Sequence, residues 1–199
     1  MRSTARLAVP AAAAVIVLAL SACGSSDDST SGSMMSGSGN NSASMSAGTS
    51  TGAKGDVEFA QMMIPHHEQA VEMADLALQN DSASADVKAL ATQIKAAQDP
   101  EIKQMTVWLS QWGAAESSGP MGHGSGGMQD DQDMTALKDA SGADFDRMWL
   151  TMMIAHHQGA VTMAQDVLAT TAHAGVKEMA NAIVKGQQSE IATMQGMLG

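Results

Sequence analysis

Basic charge, aromatic side chains, cysteine and long hydrophobic runs are all scarce in this 199-residue chain. Ten Lys and Arg residues face 21 Asp and Glu residues, a formal net charge of −11. Such a chain has no basic surface with which to neutralise phosphates, so nucleic acid is excluded as a partner. The aromatics are only Phe59, Phe145, Trp108, Trp112 and Trp149, with no tyrosine. The single cysteine, Cys23, rules out a disulfide framework. The longest apolar run, Leu7–Leu20, is too short for an ordinary membrane span. What the chain has in excess is methionine, 18 residues, together with six histidines. Its length suits one compact domain with accessory segments.

Residues 1–22 read as a lipoprotein signal peptide. Arg2 and Arg6 form a positive start, Leu7–Leu20 the apolar stretch, and Leu20-Ser21-Ala22-Cys23-Gly24 resembles a bacterial lipobox. Cys23 is then the lipidated residue and the new N-terminus. The expected product is exported and held by its lipid at the outer face of the cell membrane. Residues 23–55 are rich in Ser and Gly, carry Met34, Met35 and Met45, and lack apolar periodicity, so they read as a flexible tether. Residues 113–133 read as a second Gly/Ser/Met linker, in which Met121, His123 and Met128 could capture metal weakly.

The remaining segments, 56–112 and 134–199, are copies of each other. Met62–Ala74 aligns with Met152–Ala164 at an offset of 90, with nine of thirteen positions identical. At an offset of 89, Val87, Ile94, Gln98, Glu101, Ile102, Met105 and Leu109 align with Val176, Ile183, Gln187, Glu190, Ile191, Met194 and Leu198. Each copy reads as a helical hairpin. At 100° per residue, Phe59, Met62, Met63, Ala70 and Met73 gather around His66, while Gln61, Glu68, Glu72 and Asp75 occupy the far side. Both histidines of each pair therefore lie in the apolar arc. Pro100 is expected to kink the second helix or to start a new one with Asp99 as its cap. Two hairpins with wide apolar faces make an all-α four-helix bundle. The linker either crosses the length of the bundle, as in ferritin-like topology, or loops back.

Reflecting His66 and His67 through the first hairpin's turn places them within about one turn of Glu101, and His156 and His157 likewise reach Glu190. The interior is thus expected to gather four imidazoles, two carboxylates, the amides of Gln98 and Gln187, and the thioethers of Met62, Met63, Met152 and Met153. Buried carboxylates must pair or meet a cation. Imidazole and thioether together favour copper, although other transition metals share the imidazole and carboxylate donors. Thioethers also survive in an oxidising compartment, where thiols would not. The Glu-x-x-His pairs of di-iron bundles are missing, since Met63 and Ile64 stand three residues before His66 and His67. His173 reads as an exposed turn residue.

Phe145-Asp146-Arg147-Met148-Trp149, followed by Met152-Met153-Ile154-Ala155-His156-His157-Gln158-Gly159-Ala160, resembles the signature of the domain of unknown function 305 family. Gln-x-x-Glu-Ile-x-x-Met in both second helices agrees, and the likeness covers about residues 56–199. The resemblance implies a ferritin-like, exported bacterial protein of a kind associated with copper binding and tolerance. His66, His67, His156 and His157, with nearby methionines, are the ligands it implies. Pro65, Gly159 and Pro100 depart from the repeat and bear on whether the two half-sites fill equally. The leading expectation is extracytoplasmic copper binding and sequestration by a lipid-anchored protein. The alternatives are a metallo-oxidase using the His/Glu set, a haem bundle, and a metal-free structural lipoprotein.

Overall fold

Four long helices follow from the apolar spacing described above; a fifth, short one does not. The computed structural model describes residues 53–116 and 125–199. The segments read as a signal peptide and as a tether, up to residue 52 and including Cys23, together with Met121 and His123, lie outside the described residues. Helix α1 spans Lys54–Gln79, α2 Ala85–Trp112, α3 Asp131–Asp139, α4 Gly142–Leu168 and α5 Ala174–Leu198. A single 3₁₀ turn, Ser125–Gly127, precedes α3. The stretch read as linker therefore holds this turn and the start of α3, which runs on into the segment read as the second hairpin.

The helix ends show why the chain turns where it does. The Ser84 hydroxyl accepts from the Val87 N–H and starts α2, while Gly113, at φ 69°, ends it. The Asp130 carboxylate accepts from the Asp133 N–H and starts α3. The first hairpin's turn is fastened to α4, because the Asp146 carboxylate accepts from the Ser84 N–H at 3.1 Å. Pro100 does not restart the helix; α2 runs unbroken through it, and Asp99 caps nothing. Pro100 lies on the exposed face with Ala96, so the carbonyl that loses its helical donor faces water.

The core falls into two apolar halves. One holds Ala70, Met73, Ala77, Val87, Ile94, Phe145, Trp149, Met153 and Met194. The other holds Phe59, Met63, Met105, Leu109, Ala160, Val167, Val176 and Ile183. Helix α1 runs from the second half to the first, α2 and α4 run from the first to the second, and α5 returns. Since α2 ends where α4 ends, the segment between them must travel the length of the bundle. This settles the topology as a bundle with one long crossover, as ferritin-like folds have. Helix α1 packs on α2 and α4, and α4 on α5. Small buried residues, Ala70 and Ala74 on α1 and Ala160 on α4, allow the close α1–α4 approach. Trp149 ties that pair together by donating its indole N–H to the Met73 carbonyl at 2.8 Å.

Candidate metal centre

Between the two apolar halves lies a polar layer to which every long helix contributes. His66 and His67 come from α1, Gln98 and Glu101 from α2, His156 and His157 from α4, and Gln187 and Glu190 from α5. All four histidines and both glutamines are buried. His66 and His156 face each other across the α1–α4 contact, with ring centroids 3.7 Å apart. His67 Nε2 donates to Glu101 Oε2 at 2.8 Å, and His157 Nε2 donates to Glu190 Oε2 at 2.9 Å. The Glu101 and Glu190 side chains are about a fifth exposed, so each pair links the interior to one side of the bundle.

The acceptors fix which ring nitrogen is free. A carboxylate or a carbonyl can only accept, so Nε2 carries the proton in His66, His67 and His157. For His66 the acceptor is the Gly126 carbonyl, 2.8 Å away. Burial lowers the His66 pKa to about 4, helped by the nearby His67 and His157 and opposed by the Gly126 bond. His66 is thus neutral at ordinary pH, with an unpartnered lone pair on Nδ1. Burial, aided by the other three histidines, pushes the His156 pKa well below its usual value. Neither nitrogen of His156 has a partner. Eight of the nine buried, unpartnered side-chain polar atoms among the described residues lie in this layer. Each such atom costs about 1–3 kcal/mol when left unsatisfied. A set of buried ring nitrogens without protein partners, on rings held in orientation by carbonyl and carboxylate acceptors, is chemically suited to a cation.

The crossover covers the α1–α4 side of this layer. Gln69 and Gln129 pair through two bonds, Gln69 Nε2 donating to the Gln129 carbonyl at 2.8 Å and the Gln129 N–H donating to Gln69 Oε1 at 2.7 Å. On α4 the contact is made by absence of a side chain. A Cβ at Gly159 would overlap the Gly126 carbonyl group, and one at Gly127, where φ is 79°, would overlap the Ala155 carbonyl. Gln69 and Gly159 occupy the same position in the two repeats. Sequence reasoning noted Gly159 only as a departure; the signal was that both members of an otherwise preserved motif diverged at the position where a third segment docks.

The methionines separate. Met63 and Met153 are fully buried, and each adjoins the histidines of its helix by one turn, in opposite halves of the core. Met152 is buried beside Met153. Met62 is 40% exposed and lines a surface depression with Glu58, Met163 and Asp166. The interior therefore holds three of the four thioethers expected there, and Met62 lies at the surface. Met128 is half-buried just after the turn. His173 is not a free turn residue: it is half-buried, its Nδ1 accepts from the Val176 N–H at 3.2 Å to start α5, and its ring meets Trp108 and Trp112 edge-on. Among the described residues no three His, Cys, Asp or Glu side chains converge closely enough to hold a metal by themselves. No helix among them is long and apolar enough to cross a membrane.

These features define a class, a crossover four-helix bundle with a buried histidine layer. Residues 56–198 match the family model described as Domain of unknown function (DUF305), and the chain belongs to that family. A DUF305 fragment from Deinococcus radiodurans superposes with a TM-score of 0.69 at 32% identity, covering 74% of this chain and 97% of that one. CopM in its Cu(I)-bound form gives a TM-score of 0.61 at 34% identity, over 71% of this chain and 94% of CopM. CopM in its Cu(II)-bound form gives 0.64 at 33%, over 72% and 95%. A search among curated proteins returns no match.

Proposed function

We propose that this protein binds and sequesters copper at the polar layer, outside the cytoplasm, while lipid at Cys23 holds it to the membrane. The observation that carries the reading is the buried set of ring nitrogens on His66, His67, His156 and His157 that no protein group satisfies. The family relative CopM, solved with Cu(I) and with Cu(II), supports the choice of metal. Imidazole accepts copper in both oxidation states, and the buried thioethers of Met63 and Met153 favour Cu(I). Glu101, Glu190 and the Gly126 carbonyl orient the rings that hold the ion. Met121, His123 and Met128 act as a weaker capture segment on the crossover.

Titration of the purified mature chain with Cu(I) against a colour-forming chelator tests this. Binding of at least one equivalent is expected, and joint replacement of His66, His67, His156 and His157 by alanine should abolish it. Failure to compete with the chelator, or unchanged binding in the fourfold variant, overturns the reading. Cys23→Ala should move the protein from the membrane fraction to the medium or soluble fraction; retention on the membrane overturns the lipid anchor alone.

A further inference from the structure

The α1–α4 side of the polar layer lies under the crossover turn, whereas the α2–α5 side is open. A groove of about 100 Å³ runs between α2 and α5, walled by Gln98, Glu101, Gly186, Gln187 and Glu190. At about 30 Å³ per water molecule, that space admits a partly hydrated ion. It meets a wider depression that shares Glu101 and Ala182 and adds Glu178 and the Met179 thioether. Three carboxylates line the continuous path, and no lysine or arginine does. Two further observations point to a ligand. Gln98 and Gln187 are only 2% and 4% exposed, and they line the groove with unpartnered amide atoms, both on Gln98 and Oε1 on Gln187. Glu101 and Glu190 each give one oxygen to an imidazole, and the other accepts no hydrogen bond among the described residues.

We propose that this groove is a vestibule in which the oxygens of Glu101, Glu190, Gln98 and Gln187 first take up a copper ion, ahead of the imidazoles. The proposal rests on the copper reading and adds a route and a first binding site to it. Carboxylate and amide oxygens hold copper less tightly than imidazole or thioether, so affinity rises inward along the path. The acidic lining concentrates cations at the mouth, an effect that salt screens. The same carboxylates that orient His67 and His157 thus form the inner end of the route.

Gly186→Phe tests the route without replacing a ligand, and a Cβ at Gly186 meets nothing within 4 Å. Gly196→Phe on the same helix, equally unobstructed and outside the groove, is the control. Cu(I), supplied as its acetonitrile complex, is mixed in stopped flow with the full mature chain, and tryptophan fluorescence reports filling. Gly186→Phe should slow filling roughly tenfold while leaving the equilibrium capacity intact, as an obstructed association does. Glu178→Gln should slow it several-fold at low salt and flatten its dependence on ionic strength. Equal rates for Gly186→Phe and the unsubstituted protein, or equal slowing by Gly196→Phe, overturn the vestibule. If Gly186→Phe does not fold, Glu178→Gln decides, and an unchanged rate and salt dependence overturn the proposal. Absence of any copper uptake by the unsubstituted chain instead overturns the copper reading itself.

Discussion

The two hairpins began as copies and now treat the same histidine differently. In the first, His66 donates a hydrogen bond from Nε2 to the Gly126 carbonyl; in the second, the equivalent His156 has no hydrogen-bond partner at either nitrogen. One position along, His67–Glu101 and His157–Glu190 remain equivalent to within 0.1 Å. The repeats therefore differ where the crossover docks and agree where they face the groove. A duplicated bundle has only one crossover, and a single segment cannot sit symmetrically on a two-fold site. Gln69 became a clamp and Gly159 a gap to accommodate it. Asymmetry in this site comes from the connection, while the repeats supply the donors.

Acid should expose that asymmetry with the largest effect. His66 titrates near 4 in the folded protein and near 6.5 unfolded, so between those values the unfolded chain binds more protons. Stability from this residue is complete above about pH 6.5 and is lost as pH falls toward 4. The shift corresponds to roughly 3 kcal/mol, and His156 adds to it in the same direction. Urea unfolding of the metal-free protein at pH 7.5 and 4.5 should show the loss. NMR titration should show His156 staying neutral to lower pH than His66, since the Gly126 carbonyl strongly favours the charged ring of His66, whereas the backbone of His66 favours that of His156 only weakly. Flat stability over this range, or the reverse order of titration, contradicts the neutral, unequal pair.

Substitutions at the docking positions should have the next largest effect, and unequally. Gly159→Val drives a side chain into the Gly126 backbone and should cost about 1–3 kcal/mol, as overpacking does. Gln69→Ala removes one side of a two-bond amide pair and should cost about 1–2 kcal/mol. Because both changes undock the same turn, the double variant should lose less than the sum of the two. Thermal unfolding measures all three. Simple additivity would show that Gln69 and Gly159 do not serve one contact.

Much of this site was legible in the sequence, for a definite reason. Helical periodicity put His66, His67, His156 and His157 inside, and simple reflection through a short turn brought them to Glu101 and Glu190, because a hairpin preserves register. The crossover obeyed no period, so its turn against His66 could not be read from spacing. Pro100 misled for a local reason. Its penalty depends on where the freed carbonyl points, and the wheel places Ala96 beside Pro100 on the wet face. His173 misled because a polar residue in a turn is usually solvated, whereas here its ring lies against two tryptophans.

The offset of 89 that aligns the second helices also aligns Ser84 with His173, and both start their helix by accepting an N–H from a valine, Val87 in one case and Val176 in the other. An imidazole has thus taken over a cap that the first hairpin makes with a hydroxyl. If capping were the whole of its role, His173→Ser would be neutral and His173→Ala would cost about 1 kcal/mol, as Ser84→Ala should. His173 also packs edge-on against Trp108 and Trp112, at 5.6 and 5.5 Å between ring centroids. Serine can restore only the cap. The expected order of melting temperature is therefore unsubstituted, then His173→Ser, then His173→Ala. A chain of this size shifts by about 2–4 °C per kcal/mol, so the steps are small but resolvable. If His173→Ser melted with the unsubstituted protein, the aromatic contact would add nothing and the two hairpins would be equivalent at this position. If it melted with His173→Ala, the tryptophan packing alone would account for the histidine, and the two helices would begin for different reasons.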